Sequence, residues 1–208
     1  DKWFCSHADG DLVMILARPE GAPEGLRGLG LFAMPRYLEN GEKNSYTIIR
    51  LKDKLGTRSM ASGEVHLDGA IAYPLGDLEN GFKNMLDQVN LSRLSHGVRA
   101  AAMMRRCLNE SLAVAHTRSA FKRRLIDMPL VRRQLLKIMV PTEQSLTMWG
   151  ATAQALDKSE AGDDDATRLL RILTPLYKFR ACRDNIQVAT AATEMRGGLG
   201  YIEKWVNA

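Results

Sequence analysis

The chain has 208 residues, enough for one large domain or two small ones, and its 45% hydrophobic and 25% charged residues exclude a disordered tail. No window approaches the ~18 consecutive apolar residues of a membrane span, and no charged-then-apolar leader opens the sequence, so a cytoplasmic protein without membrane contact is expected. The formal net charge of +5 favours anionic partners only weakly, because bulk charge does not separate nucleic acid from a phosphorylated cofactor.

Residues 1 to about 76 read as strands of a β-domain. Leu12, Val13, Met14, Ile15 and Leu16 form an apolar run between Asp9-Gly10 and Pro19, and residues 29–34 form a second that ends at Pro35. Residues 45–51, 64–68 and 71–73 follow, with Asn40-Gly41, Lys54-Leu55-Gly56 and Asp68-Gly69 as turns. Short strands at this spacing predict an antiparallel sandwich or small barrel. Gly25, Gly28 and Gly30 lead into a strand rather than a helix, so they are a loop and not a dinucleotide fingerprint.

From residue 77 onwards the period changes, and an up-and-down bundle of long helices is expected over 77–208. Leu94, Val98, Ala101, Met104, Leu108, Leu112 and Ala115 recur in steps of three and four along a first helix. A loop over residues 118–128 precedes a second helix with Pro129 in its first turn. Leu135, Ile138, Leu146, Trp149 and Leu156 are its expected inner face, with a kink at Pro141. Gly162 and the acidic Asp163, Asp164 and Asp165 start a third helix. It carries Leu169, Leu170, Leu173, Leu176 and Phe179, contains Pro175, and stops at Gly197-Gly198. A three-helix bundle lacks a partner, and neither end of the sequence carries a turn or cap, so a piece of a longer chain is expected.

Cys5, Cys107 and Cys182 are odd in number and widely spaced, which reads as buried free thiols rather than a disulfide framework or zinc site. His7, His66, His96 and His116 show no metal-ligand spacing, and no metal site is expected. Three clusters carry chemistry. Arg118, Lys122, Arg123, Arg124, Arg132, Arg133 and Lys137 face only Asp127 locally; they form either a solvated helix start or a phosphate site, for which guanidinium forks are suited. Phe121 adds an aromatic face there. Residues 194–201 hold three glycines in four positions, more than a helix cap requires, and bare amides can approach a ligand closely. Trp3 and Ser6, at a strand end, either flank a planar cofactor or belong to core and turn.

These clusters fall, in order, on the pattern of the acyl-CoA dehydrogenase family, which the chain resembles over essentially its whole length. Lys2-Trp3-Phe4-Cys5-Ser6 resembles the family's Lys-x-Trp-Ile-Thr strand beside the flavin ring; Cys5 takes the threonine place and Ser6 supplies a hydroxyl. Residues 54–62 resemble Lys-x-Gly-x-Arg-x-Ser. Arg118-Ser119-Ala120-Phe121 resembles Arg-x-x-Phe-Gly, which holds the FAD of a neighbouring subunit, with Lys122 in place of the glycine. Residues 194–201 resemble Gln-x-x-Gly-Gly-x-Gly-Tyr, a second FAD contact across the dimer, with Glu194 in place of glutamine and Gly197 and Gly198 as the glycine pair. Residues 51–56, 102–106 and 173–179 look most like the AidB-like branch, flavoproteins of altered or weak dehydrogenase activity, some of which bind DNA.

The resemblance implies FAD as cofactor, an acyl-CoA thioester as substrate, a homodimer or homotetramer, and an electron-accepting flavoprotein as a further partner. In the family reaction a glutamate removes the α-proton while the β-hydrogen passes as hydride to the flavin. The usual base is expected beyond Ala208, and an alternative position falls on Ser92, which is no carboxylate. Asn90, Ser92 and Arg93 correspond to positions lining the acyl-CoA site, although Arg93 alone reads equally as a helix-surface ion pair. These 208 residues by themselves are therefore expected to bind FAD weakly and catalyse nothing. The competing reading is a DNA-binding relative whose basic run, 118–137, holds the duplex. A third, a cofactor-free interaction bundle, leaves the triple glycine unexplained.

Overall fold

Turn residues set the strand boundaries in the first part of the chain. The computed structural model describes residues 1–202, and these divide between two units, Asp1–Gln88 and Val89–Ala208. The first contains β1 (Lys2–Cys5), β2 (Leu12–Ala17), β3 (Gly30–Pro35), β4 (Tyr46–Leu51), β5 (Gly63–Leu67) and β6 (Tyr73–Pro74). They form two antiparallel three-stranded sheets, ordered β1-β5-β4 and β2-β3-β6. Gly41 and Gly69 turn the chain at φ 82° and 72°, where a Cβ is unfavourable. Ala8, Ile15, Met34, Tyr46 and Val65 make the core.

Along the run 12–16, Leu12 and Met14 are exposed while Ile15 is buried. One expectation is corrected in this unit. The last strand starts at Tyr73 rather than residue 71. Ile71 instead meets the buried Asn44, whose Nδ2 donates to the Pro35 and Ile71 carbonyls while Oδ1 accepts from the Ile71 amide. With the Ser45 amide, which also donates to Oδ1, one side chain thus satisfies four backbone groups.

Three long helices follow: α1 (Gly81–Thr117), α2 (Pro129–Glu160) and α3 (Asp164–Met195). The segment between α1 and α2 holds a two-residue-strand hairpin, β7 (Ser119–Ala120) and β8 (Arg123–Arg124). Pro129 occupies the first turn of α2. Asp163 caps α3, its carboxylate accepting from the Asp165 and Ala166 amides, which satisfies donors that lack an intrahelical partner. The chain is therefore an all-β part followed by an all-α part.

The helical core contains Ala100, Met104 and Leu108 of α1, Ile138 of α2, and Tyr177, Ala181, Val188, Ala191 and Ala192 of α3. The first helix's apolar stripe lands as the spacing predicts. The other two are corrected in part, for Leu135 and Ile138 are buried as expected. Trp149, Leu169, Leu176 and Phe179 are exposed, and Leu146 and Leu156 are half-buried. The buried positions of α2 beyond Leu135 and Ile138 are Thr142, Ser145, Thr152 and Ala155. Thr142 and Thr152 send their hydroxyls back to the Ile138 and Met148 carbonyls, so these two buried hydroxyls are satisfied within their own helix. The Tyr177 ring, fully buried, lies against Gly97 of α1, where an added Cβ would stand 2.5 Å from Cε1. Burial pushes the Tyr177 phenol up to about 12, with the Ser145 hydroxyl pulling the other way. The three cysteines are free but half-buried rather than buried. No described helix is long and apolar enough to cross a membrane.

Candidate functional site

The residues singled out for the cofactor lie in both units. Within the first, Trp3 on β1 is 71% exposed, and the Lys52 ammonium sits 3.7 Å from its ring centroid, a cation–π contact. Lys52 also reaches Glu64 at 2.5 Å, and Arg50 reaches the same oxygen at 2.9 Å. Lys52 and then Arg50, hydrogen-bonded to it, hold the Glu64 carboxyl below its ordinary range. Cys5 is half-buried and its thiol is pushed up by burial, with Lys2 opposing. Ser6 is exposed, and its carbonyl accepts from the Ser62 hydroxyl at 2.8 Å.

Within the second unit, two segments far apart in sequence come together. Arg118, at the end of α1, donates from Nη1 to the Arg196 carbonyl at 3.0 Å. That carbonyl is the last before Gly197, whose φ of +61° ends α3 and whose Cβ position, like that of Gly198, is open space. Gly200 is different: a Cβ there would strike the Thr193 carbonyl at 2.2 Å, so only glycine lets the chain fold back on α3. Phe121 and Lys122 form the hairpin turn at φ 52° and 64°. The tight turn is thus kept although Lys122 stands where glycine was expected, with both residues in a region side chains disfavour. The Phe121 ring is 91% exposed. Glu194 is exposed and accepts from Gln134 at 3.3 Å. Arg118 thus brings a guanidinium to the start of the glycine segment.

The sequence reading gave no role to Arg196 or Glu110. Arg196 is 7% exposed and its Nη2 donates to Glu110 Oε2 at 2.8 Å. The helical stripe Val188, Ala192, Arg196 was the available signal, since steps of four place Arg196 on the buried face.

Residues 79–208 match the family described as "Acyl-CoA dehydrogenase, C-terminal domain". The chain belongs to the acyl-CoA dehydrogenase family. It is similar to acyl-CoA dehydrogenase family member 11 of Caenorhabditis elegans, 34% identical over 97% of this chain and 34% of that protein. It is equally similar to the putative acyl-CoA dehydrogenase AidB of Escherichia coli (strain K12), 34% identical over 98% of this chain and 36% of that one. The chain therefore spans about a third of the length of these curated relatives. The crystal structure of C. elegans ACDH-11 in complex with C11-CoA superposes with a TM-score of 0.86 at 34% identity, covering 97% of this chain and 35% of that one. AidB is the relative whose branch residues 51–56, 102–106 and 173–179 had pointed to.

The positions matching the family's acyl-CoA site lie near the start of the second unit. Asn90, Ser92 and Arg93 are half-buried on α1, and Arg93 Nη1 donates to Asn90 Oδ1 at 3.2 Å. Among the described residues Arg93 makes no ion pair. The Ser92 carbonyl is in contact with His96 Nδ1 at 2.6 Å. Among the described residues no cluster of three or more His, Cys, Asp or Glu side chains could hold a metal.

Proposed function

We propose that this chain contributes the cofactor-holding part of an FAD-dependent oxidoreductase that introduces an α,β double bond into an acyl-CoA thioester. The observation that carries the reading is the bond from Arg118 to the Arg196 carbonyl, which joins the two segments resembling the family's FAD contacts. The residues fit such a group. Gly197 and Gly198 have open space where side chains would stand, Arg118 has guanidinium protons beyond the one it spends, and Phe121 leaves its ring in water. Arg118 and the glycine amides would hold the diphosphate, with Phe121 against a ring and Glu194 accepting from a hydroxyl. Trp3, Cys5 and Ser6 would border the isoalloxazine. A bound flavin supplies the two-electron acceptor.

Asn90, Ser92 and Arg93 would orient the thioester, with Arg93 as its cationic contact. Ser92 cannot remove a proton from carbon, so the general base is a carboxylate outside the residues assigned here. Residues 1–76 would form the middle β-domain and 77–208 the C-terminal helical domain of a cytoplasmic homodimer or homotetramer that passes electrons to a second flavoprotein. The test uses the full natural chain, its flavin absorbance, and oxidation of a series of saturated acyl-CoA thioesters with a dye acceptor. Arg118→Ala should lower FAD affinity by at least about tenfold, or about 1.4 kcal/mol. A colourless protein that takes up no FAD would end the reading.

The exposed cations Lys122, Arg123, Arg124, Arg132, Arg133 and Lys137 support a second reading, in which an AidB-like flavoprotein with little dehydrogenase activity binds DNA. Duplex affinity that falls steeply with salt, is lost in R123E/R124E and survives in R118A would favour it.

A further inference from the structure

Arg196 puts a cation at the threshold of the glycine segment and hides it from water. Its Nη2 donates to Glu110 Oε2 at 2.8 Å, and the other Glu110 oxygen accepts from Arg106 Nε at 2.9 Å. Its Nε is buried and meets no acceptor among the described residues. Its main-chain carbonyl accepts a hydrogen bond from Arg118 Nη1. One residue therefore ties α1 to the exit of α3 through its side chain, and ties that exit to the guanidinium proposed to face a diphosphate through its backbone. Stability alone does not call for this arrangement. Buried ion pairs commonly return no more than their desolvation costs, and an apolar pair of the same size would serve as well. What a directional pair supplies is a single register.

We infer that Glu110 and Arg196 are positioning residues. They fix the direction in which the chain leaves α3, so that the Gly197 and Gly198 amides and the Arg118 guanidinium are pre-arranged for the diphosphate–adenosine half of the cofactor. The inference rests on the FAD reading above and adds to it a source of nucleotide specificity. FMN carries the same ring but neither the diphosphate nor the adenosine, so the ratio of FAD to FMN affinity reports on this half alone.

The experiment measures both affinities by flavin fluorescence titration on the full natural chain, in wild type, E110Q and E110M/R196M. E110Q strands a buried guanidinium and can cost the fold, whereas the double variant removes both charges and decides the matter if E110Q does not fold. The expected result is a preference for FAD over FMN reduced at least about tenfold in the variants that fold, with FMN affinity unchanged. FAD and FMN affinities that fall together, or a double variant with the wild-type ratio, would overturn the inference and leave the FAD reading intact. A wild-type protein that binds no FAD would overturn both.

Discussion

Gly97 offers a direct measurement of how closely α1 and α3 approach. In an open helix Gly→Ala stabilises by about 1 kcal/mol. At position 97 the new methyl would lie 2.5, 2.6 and 3.0 Å from Cε1, Cδ1 and Cζ of Tyr177, well inside the ~3.5–4.0 Å optimum for carbon pairs. The ring is 0% exposed and sits in the main core cluster, so it has nowhere to go. Overpacking costs up to about 3 kcal/mol, which leaves a net loss of about 2 kcal/mol and a melting point lower by about 4–8 °C for a chain this size. Tyr177→Ala alone should cost about 3–5 kcal/mol, but it removes the obstacle. In that background Gly97→Ala should be stabilising by about 1 kcal/mol, a coupling of about 3 kcal/mol. Thermal unfolding followed by far-ultraviolet circular dichroism gives all four corners of the cycle. A higher melting point for Gly97→Ala in the wild-type background, or the same effect with and without Tyr177, would refute the close approach.

Lys122→Gly should stabilise the hairpin by about 0.5 kcal/mol, because relief of a left-handed side chain, worth about 1–2 kcal/mol, exceeds glycine's entropic cost of about 0.5–1 kcal/mol; urea titration would show it. Glu64 is held below its ordinary value of 4.5, so its contribution is present above that pH and lost as pH falls through its lowered value. The Lys52 ammonium then leaves the Trp3 ring, and a Trp149→Phe, Trp205→Phe protein should change emission on acidification. Emission that stays flat until the chain unfolds would count against the Lys52–Trp3 contact. Tyr177 has the opposite sign: its phenol is raised from 10.0 to about 12, so stability falls from about pH 10 upward as the unfolded chain releases the proton first. Melting points at pH 9 and 11 should differ less in Tyr177→Phe than in wild type.

The strands and turns of the first 88 residues were legible because Gly41 and Gly69 mark their ends with a backbone geometry few other residues accept. The first helix was legible because its apolar stripe is unbroken. The inner faces of α2 and α3 were not. There many of the buried positions are threonine, serine and alanine, and a search for large apolar residues finds Leu135 and Ile138 but also Trp149 and Phe179, which lie outside. The site followed the same division. Arg118 and the Gly197-Gly198 pair stood out by residue type, and their meeting follows from the fold. Arg196 and Glu110 did not stand out, because an arginine beside a helix end reads as solvated until the burial of its neighbours Val188 and Ala192 is known.

Pro141 and Pro175 lie inside α2 and α3 without ending them, and each deletes one amide from its ladder. The deletions are staggered. Pro141 shares a cavity wall with Leu176, Ala181 and Asp184, all on the C-terminal side of Pro175, so the weak point in α2 is backed by an unbroken stretch of α3. In hydrogen–deuterium exchange the two helices should consequently behave as four segments, with the slowest amides in the longer C-terminal portions and with opening at one proline leaving the other undisturbed.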